Sequence, residues 1–301
     1  MPGLKTADGR GIAVINNGPR IPDFLAELEE QLSVRGLTLA APIAALGSDA
    51  DYCGLGEEYA ADGLFRDVQN AYYVGCGTGI ADALKLRGRL VPFDMTQSWL
   101  GKAWQIPSAL GPTFEQLVSI KSLNAVYAGL CGRDDTFPEV AAARGDSLAT
   151  TWLDMAALAL AELIFERLST ILRGRAALPH RGDAYARLSP DHDYAGTVLD
   201  RVIIGQRLGL IYADPAGYRP FAHRLESGLA AFVAGADDQL RAAYLAPASH
   251  DVVPALRSGL LVASRLRAAP AIGAAVAAVR MCKVAQSHVT FPCIRGGAGA
   301  T

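Results

Sequence analysis

Fixed charge is sparse in this chain and nearly balanced. Lysine and arginine number 28 against 30 aspartates and glutamates, a net charge of −2 at pH 7. That excludes the broad positive field by which proteins hold nucleic acids or anionic membranes. No run of about eighteen uninterrupted apolar residues occurs, and no basic-then-apolar leader pattern opens the sequence. The expectation is a cytoplasmic protein without a membrane or nucleic-acid partner. Cysteine is thin and scattered, at positions 53, 76, 131, 282 and 293. An odd, dispersed set without C-x-x-C spacing excludes a disulfide framework and points to reduced thiols. Internal repeats are absent. Hydrophobic residues make up 51% of the 301, which excludes wholesale disorder and is enough for two lobes with separate cores.

The most telling stretch is Ala71-Tyr-Tyr-Val-Gly-Cys-Gly-Thr-Gly-Ile80, followed by Ala81 to Leu90. It reads as an apolar strand, a glycine-dense turn and a second strand ending in a hairpin at Gly88. Gly75, Gly77 and Gly79 remove the Cβ atoms that would block close approach, so backbone N–H groups are able to converge on an anion. Thr78 adds a hydroxyl, and the stretch reads as a phosphate cradle. Upstream, Leu46-Gly-Ser-Asp-Ala-Asp-Tyr-Cys-Gly-Leu-Gly-Glu-Glu58 breaks from an apolar approach into an acidic turn and a helix. Asp49 is either the N-cap of that helix or a carboxylate presented to a substrate.

Around these motifs the pattern is α/β. Ile12–Ile15 is a short apolar strand, and Pro22–Leu32 an amphipathic helix. Residues 37–46 read as a buried strand and 50–61 as a helix. From about residue 113 the chain becomes mostly helical. Ala149–Leu172 is its clearest helix, with Glu162, Glu166 and Arg167 expected to face out. A polar loop at 174–193 carries His180 and His192. Leu199–Gly205 is a strand, Tyr218–Ala234 a helix, Leu260–Val262 a short strand and Ala268–Val284 an Ala-rich helix. The last residues, from 286, are expected to be a flexible tail.

On these residues the chain resembles the ROK family of sugar kinases and sugar-responsive repressors. The matches are Ser48-Asp49-Ala50, Glu57 or Glu58, Gly77-Thr78-Gly79-Ile80, Glu115-Gln-Leu-Val-Ser119, Ala143-Arg-Gly-Asp146, Val202-Ile-Ile-Gly205 and Pro270-Ala-Ile-Gly-Ala-Ala275. They fall in the family's order and span most of residues 1–280. The resemblance implies an actin-like ATPase (ribonuclease H-like) architecture of two α/β lobes with the nucleotide between them, the second lobe helix-rich. Residues 1–69 would be a remnant of the first lobe, 70–263 the second lobe and 264–285 a C-terminal helix. The family's Asp-x-Gly-Gly-Thr hairpin is not in the sequence, so the first lobe is expected to be incomplete. A truncated version of a longer relative, or a homo-oligomer covering the gap, is the resulting expectation.

By the same resemblance the chain is a carbohydrate kinase using ATP and Mg2+, its partners a small-molecule sugar and a nucleotide. Asp49 matches the catalytic base. Asn16, Asn17, Ser48, Glu57 and Asp94 are the candidate sugar contacts, with Ser48 standing where the family has Asn. Gly75, Gly77, Thr78, Gly79, Gly205 and Gln206 are the candidate nucleotide contacts, with Gln206 adding bulk where the family has glycine. The family's Glu-x-x-His pair is absent, and Asp94 is the nearest acid. Its zinc motif is also absent, since residues 93–105 hold neither His nor Cys, so no zinc site is expected. Trp99 and Trp104 are available to stack on a sugar or to pack a core. A non-catalytic sugar- or nucleotide-binding protein is the alternative to the kinase.

Overall fold

The computed structural model describes residues 4–14, 18–39, 41–132, 137–174, 186–214, 219–247 and 253–287, with side chains as far as 280. A hairpin of β1 (Leu4–Lys5) and β2 (Ile12–Val14) opens the chain, followed by α1 (Phe24–Val34). Before Ser48 the buried apolar side chains among the described residues are Ile12 and Leu25, while Val14, Val34, Leu37 and Leu39 are exposed. Among the described residues of 37–46 no strand forms, and the Leu46 N–H donates to the Gly9 carbonyl at 2.8 Å outside any sheet. Instead this segment is tied back by polar bonds. Glu29 of α1 accepts the Ile43 N–H at 2.6 Å and pairs with Arg10 at 2.9 Å.

The main sheet is built from β3 (Ala71–Cys76), β4 (Ile80–Leu86), β5 (Arg89–Val91), β6 (Arg201–Gly205) and β7 (Leu261–Ala263), in the spatial order β5-β4-β3-β6-β7. β3, β4 and β5 are antiparallel neighbours, whereas β6 and β7 run parallel to β3. A mixed sheet with helices on both faces is the α/β class expected from the sequence. Both faces are covered, so the strands read as near-continuous apolar runs. Tyr72, Val74, Cys76, Leu84, Val202 and Ile204 point into the larger core, while Ala71, Tyr73, Ala83 and Ile203 point into the smaller one.

The smaller face is covered by α2 (Asp49–Tyr59) and α10 (Ala269–Ser287). These helices cross at backbone contact. A Cβ on Gly56 would lie 2.3 Å from the Ala269 carbonyl oxygen, and one on Gly273 1.8 Å from that of Tyr52. Lys85 of β4 donates to Glu58 and to the Phe65 carbonyl, each at 2.7 Å, which seats α2 on the sheet. Residues 49–69 therefore pack with the main sheet.

The larger face is covered by α3 (Phe114–Val118), α4 (Ile120–Cys131), α5 (Pro138–Ala143), α6 (Ser147–Arg173), α7 (Gln206–Ala213), α8 (Arg219–Ala234) and α9 (Asp238–Tyr244). α6 is the central element, and it corrects one expectation. Glu162, Glu166 and Arg167 do not face out. Arg167 is completely buried, against Glu166 at 2.5 Å and Asp82 of β4 at 3.4 Å. Tyr72 donates to the Asp82 carboxylate and Thr170 to Glu166 at 3.0 Å. Burial disfavours the guanidinium charge, but Glu166 and Asp82 outweigh it and hold Arg167 protonated. Glu162 accepts the Ala109 N–H at 3.0 Å. Helical periodicity alone cannot see such partners, because an acid facing a core looks like an acid facing water.

Removing one member of a buried ion cluster strands the others, at a cost of about 3–5 kcal/mol, whereas replacing all members removes the stranded charge as well. Arg167→Met is expected to destabilise the protein on that scale in chemical denaturation. Adding Asp82→Asn and Glu166→Gln should recover part of the loss, and a triple variant weaker than Arg167→Met alone would contradict this account.

Candidate functional site

Two neighbouring strands carry glycine at or next to their carboxyl ends. β3 and β6 pair in parallel with Gly75 opposite Gly205. Beyond that point β3 enters the turn Gly77-Thr78-Gly79, and β6 passes directly into α7. The carboxyl ends of parallel strands, where connections leave the sheet, are the ordinary ligand crevice of open α/β folds. The turn closes through the Gly77 N–H, which donates to the Gly79 carbonyl at 3.0 Å. Thr78 at the tip is exposed and the flanking glycines are half-buried.

The turn is held from the α3–α4 side. Glu115 accepts the Ile80 N–H at 3.0 Å, and the Ile120 N–H donates to the Gly77 carbonyl at 2.9 Å. The sequence marked Glu115 only as part of a resembling motif, and its place behind the glycine turn emerges from the fold. Beneath the strand ends lies Tyr73. A Cβ at position 205 would sit 2.1 Å from its hydroxyl, so only glycine fits there. That hydroxyl is buried beside the Cys53 thiol, and burial pushes its pKa up.

α2 begins at this same edge. Its N-cap is Ser48, whose hydroxyl accepts the Asp51 N–H at 3.4 Å, while the Tyr52 N–H donates to the Ser48 carbonyl at 3.0 Å. Asp49 is thus the first helical residue and is half-buried. Of the two roles open to it in the sequence, the cap belongs to its neighbour. Cys53 follows four residues later on the same helical face. Burial, with the Asp49 charge adding to it, pushes the Cys53 thiol up to about 12. Gln206 Nε2 donates to Cys53 Sγ at 3.8 Å, and a Cβ on Gly77 would come 2.7 Å from Gln206 Oε1. Asp49, Cys53, Gln206 and the glycine turn therefore form one continuous group.

The remaining candidates divide. Asn16 and Asn17 lie outside the described residues, as do His180 and the tail beyond 287. Ser48 stands beside Asp49, its hydroxyl engaged as a cap. Glu57 does not lie on a solvated helix face. It is 0% exposed, accepts the Leu64 N–H at 2.8 Å and is bonded by the Ser264 hydroxyl. Burial raises its pKa, with the Ser264 and Leu64 bonds working the other way. Asp94 is partly exposed and bound to Lys102 at 2.7 Å and Lys5 at 3.5 Å. Burial opposes its ionisation, but the two lysines outweigh it and hold the carboxyl below its usual range. Asp51, on the far side of α2 from Asp49, accepts the Phe93 N–H at 3.1 Å. Trp99 packs in the core, stacked on His192 at 3.9 Å between ring centres.

No protein-family model and no curated protein matches the sequence. Solved structures do. A ROK hexokinase from Thermus thermophilus aligns over 94% of this chain and 78% of its own, at 19% identity and a TM-score of 0.53. A ROK family glucokinase from Streptomyces griseus, in complex with glucose and AMPPNP, aligns over 92% and 79% at 16% identity and a TM-score of 0.54. The chain has the fold of the ROK sugar kinases. A glucokinase from Parabacteroides distasonis aligns over 93% and 79%, at 15% identity and a TM-score of 0.54. At these identities the ROK likeness is one of architecture.

The buried Glu57 makes a pH test of α2 seating. Its pKa is raised in the folded state, so its contribution to stability is complete below the unfolded value near 4.3 and declines as pH rises through the folded value. Glu57→Gln carries no such titration. Thermal melts from pH 4 to 7 should therefore shift steadily in favour of the amide variant relative to wild type. A constant difference across that range would contradict the buried setting.

Proposed function

We propose that this chain is a ROK-like carbohydrate kinase, transferring the γ-phosphate of ATP to a sugar hydroxyl. The observation that carries the reading is the meeting at one sheet edge of an exposed glycine–threonine turn, the glycine end of β6 and the first turns of α2, which carry Asp49. The likeness to ROK kinase folds supports it at the level of architecture.

Phosphoryl transfer is mostly positioning and electrostatics. In this reading Gly77, Thr78 and Gly79 hold the phosphates, and Gly75 and Gly205 leave room for the Tyr73 side chain beneath the strand ends. Asp49 takes the proton from the attacking hydroxyl as the new O–P bond forms and the bond from the γ-phosphorus to the bridging oxygen breaks, with ADP leaving. Ser48 supports it indirectly, because capping α2 leaves the Asp49 carboxylate clear of that duty. The residues present fit a magnesium nucleotide, since the cradle is glycine-built and Asp49 supplies a carboxylate at this edge, as such an ion asks for one or two. When bound, the magnesium nucleotide supplies the transferable phosphoryl group and the charge that neutralises it. The sugar itself is set by a few contacts.

One observation favours a second reading, a protein that binds sugar or nucleotide without turnover. The Ser48 hydroxyl, where the resemblance implies an asparagine contacting the sugar, is already bonded to the Asp51 N–H. Sugar-dependent ADP release, measured across a panel of hexoses and amino sugars, separates the two. Asp49→Asn should cut that turnover by roughly two to four decades, the usual scale for a general base, with sugar binding retained. Turnover unaffected by this substitution would remove Asp49 from the chemistry. Thr78→Val, which exchanges a hydroxyl for a methyl at an exposed position, should weaken nucleotide binding in titration calorimetry without changing the melting temperature. Equal affinity in wild type and variant would dissociate the turn from the nucleotide.

A further inference from the structure

Gln206 is one of two non-glycine residues with positive φ among the described residues, at φ 54°, the other being Arg87 in the β4–β5 turn. Left-handed backbone is costly for a residue with a Cβ and persists where the surroundings enforce it or the side chain has work to do. A hairpin turn explains Arg87. Gln206 sits instead at the junction of β6 and α7, immediately after Gly205, where the chain already holds one glycine.

The contacts of its side chain do not repay that strain. Nε2 donates to a thiol sulfur at 3.8 Å, a weak bond. Oε1 rests against Gly77 of the glycine turn. An acceptor oxygen is the wrong end of a carboxamide to present to an anion-binding turn. Rotation by half a turn about Cγ–Cδ corrects this at almost no steric cost, because amide O and N are nearly the same size. Cys53 tolerates both orientations. Its thiol stays protonated, pushed up to about 12, so sulfur accepts in one arrangement and S–H donates in the other.

We propose that Gln206 is a phosphate-contacting residue that reverses its carboxamide when an anion arrives, turning Nε2 toward the Gly77–Gly79 turn and Oε1 toward the Cys53 thiol. This rests on the nucleotide-binding reading of the turn. The strained backbone is then compensated in the liganded protein, where the amide donates to a charged oxygen. Such a bond is stronger than one between neutral groups.

Three variants of the full chain test this by titration calorimetry with AMPPNP and by melting temperature. Gln206→Met keeps the bulk and removes the donor, and it should weaken binding about tenfold. Gln206→Gly should weaken binding similarly while its ligand-free melting temperature does not fall, since left-handed strain is released. Gln206→Glu, which faces one anion with another, should bind more weakly than either. Equal or tighter binding by Gln206→Gly would overturn the proposal and identify the side chain as an obstacle. A clear fall in its melting temperature would overturn the strain argument. Absence of AMPPNP binding by wild type would overturn the nucleotide reading itself, an outcome distinct from binding that is indifferent to position 206.

Discussion

A full positive charge with no exposure to water sits between the main sheet and its longest helix, and the fold is organised around satisfying it. Arg167 reaches from α6 to Asp82 of β4, with Glu166 and the Tyr72 hydroxyl completing the group. An unpaired charge in that position would cost several kcal/mol, so α6 has one acceptable seat on the sheet. The opposite face is fixed in the same manner, by Lys85 against Glu58 and by Glu57 against Leu64 and Ser264. Polar anchors on both faces set the register of helices that apolar packing alone would allow to slide.

This clamping leaves the ends of the strands as the open part of the sheet. With both faces covered, the carboxyl ends of β3 and β6 are where the sheet meets solvent through glycine. Gly205 is required there by the Tyr73 ring beneath it, and the adjoining turn is steadied by Glu115 from outside the strands. α2 delivers Asp49 to the same edge, because the crossing at Gly56 and Gly273 brings α2 and α10 into backbone contact. A bulkier residue at either crossing point would lift α2 from α10 and carry Asp49 with it.

Much of this was legible in the sequence, for identifiable reasons. The glycine turn and its flanking strands announce themselves through backbone requirements that few other residues satisfy, and α6 through its length. Ser48-Asp49 placed a helix start correctly, although which of the two caps it depends on a side-chain rotamer that spacing does not encode. The sequence failed where polar residues are buried. Glu57, Glu162, Glu166 and Arg167 follow the spacing of a solvated helix face, and only their partners, up to 207 residues away in the chain, reveal the core. The strand anticipated over 37–46 does not form among the described residues. A strand needs a neighbour, and β-propensity is silent about whether one exists. Gln206 was visible as a departure from glycine, but its left-handed backbone and its contact with the turn were not.

The central claim is that the glycine turn, the end of β6 and Asp49 form one nucleotide- and sugar-binding edge. A crystal structure of the protein soaked with AMPPNP and magnesium tests it most directly. The account predicts phosphate density within hydrogen-bonding distance of the turn at Gly77–Gly79, with the Asp49 carboxylate facing the terminal phosphate across the edge. Nucleotide bound elsewhere, as in the 370 Å3 cavity between His223 and Gly259 near the start of β7, would contradict it.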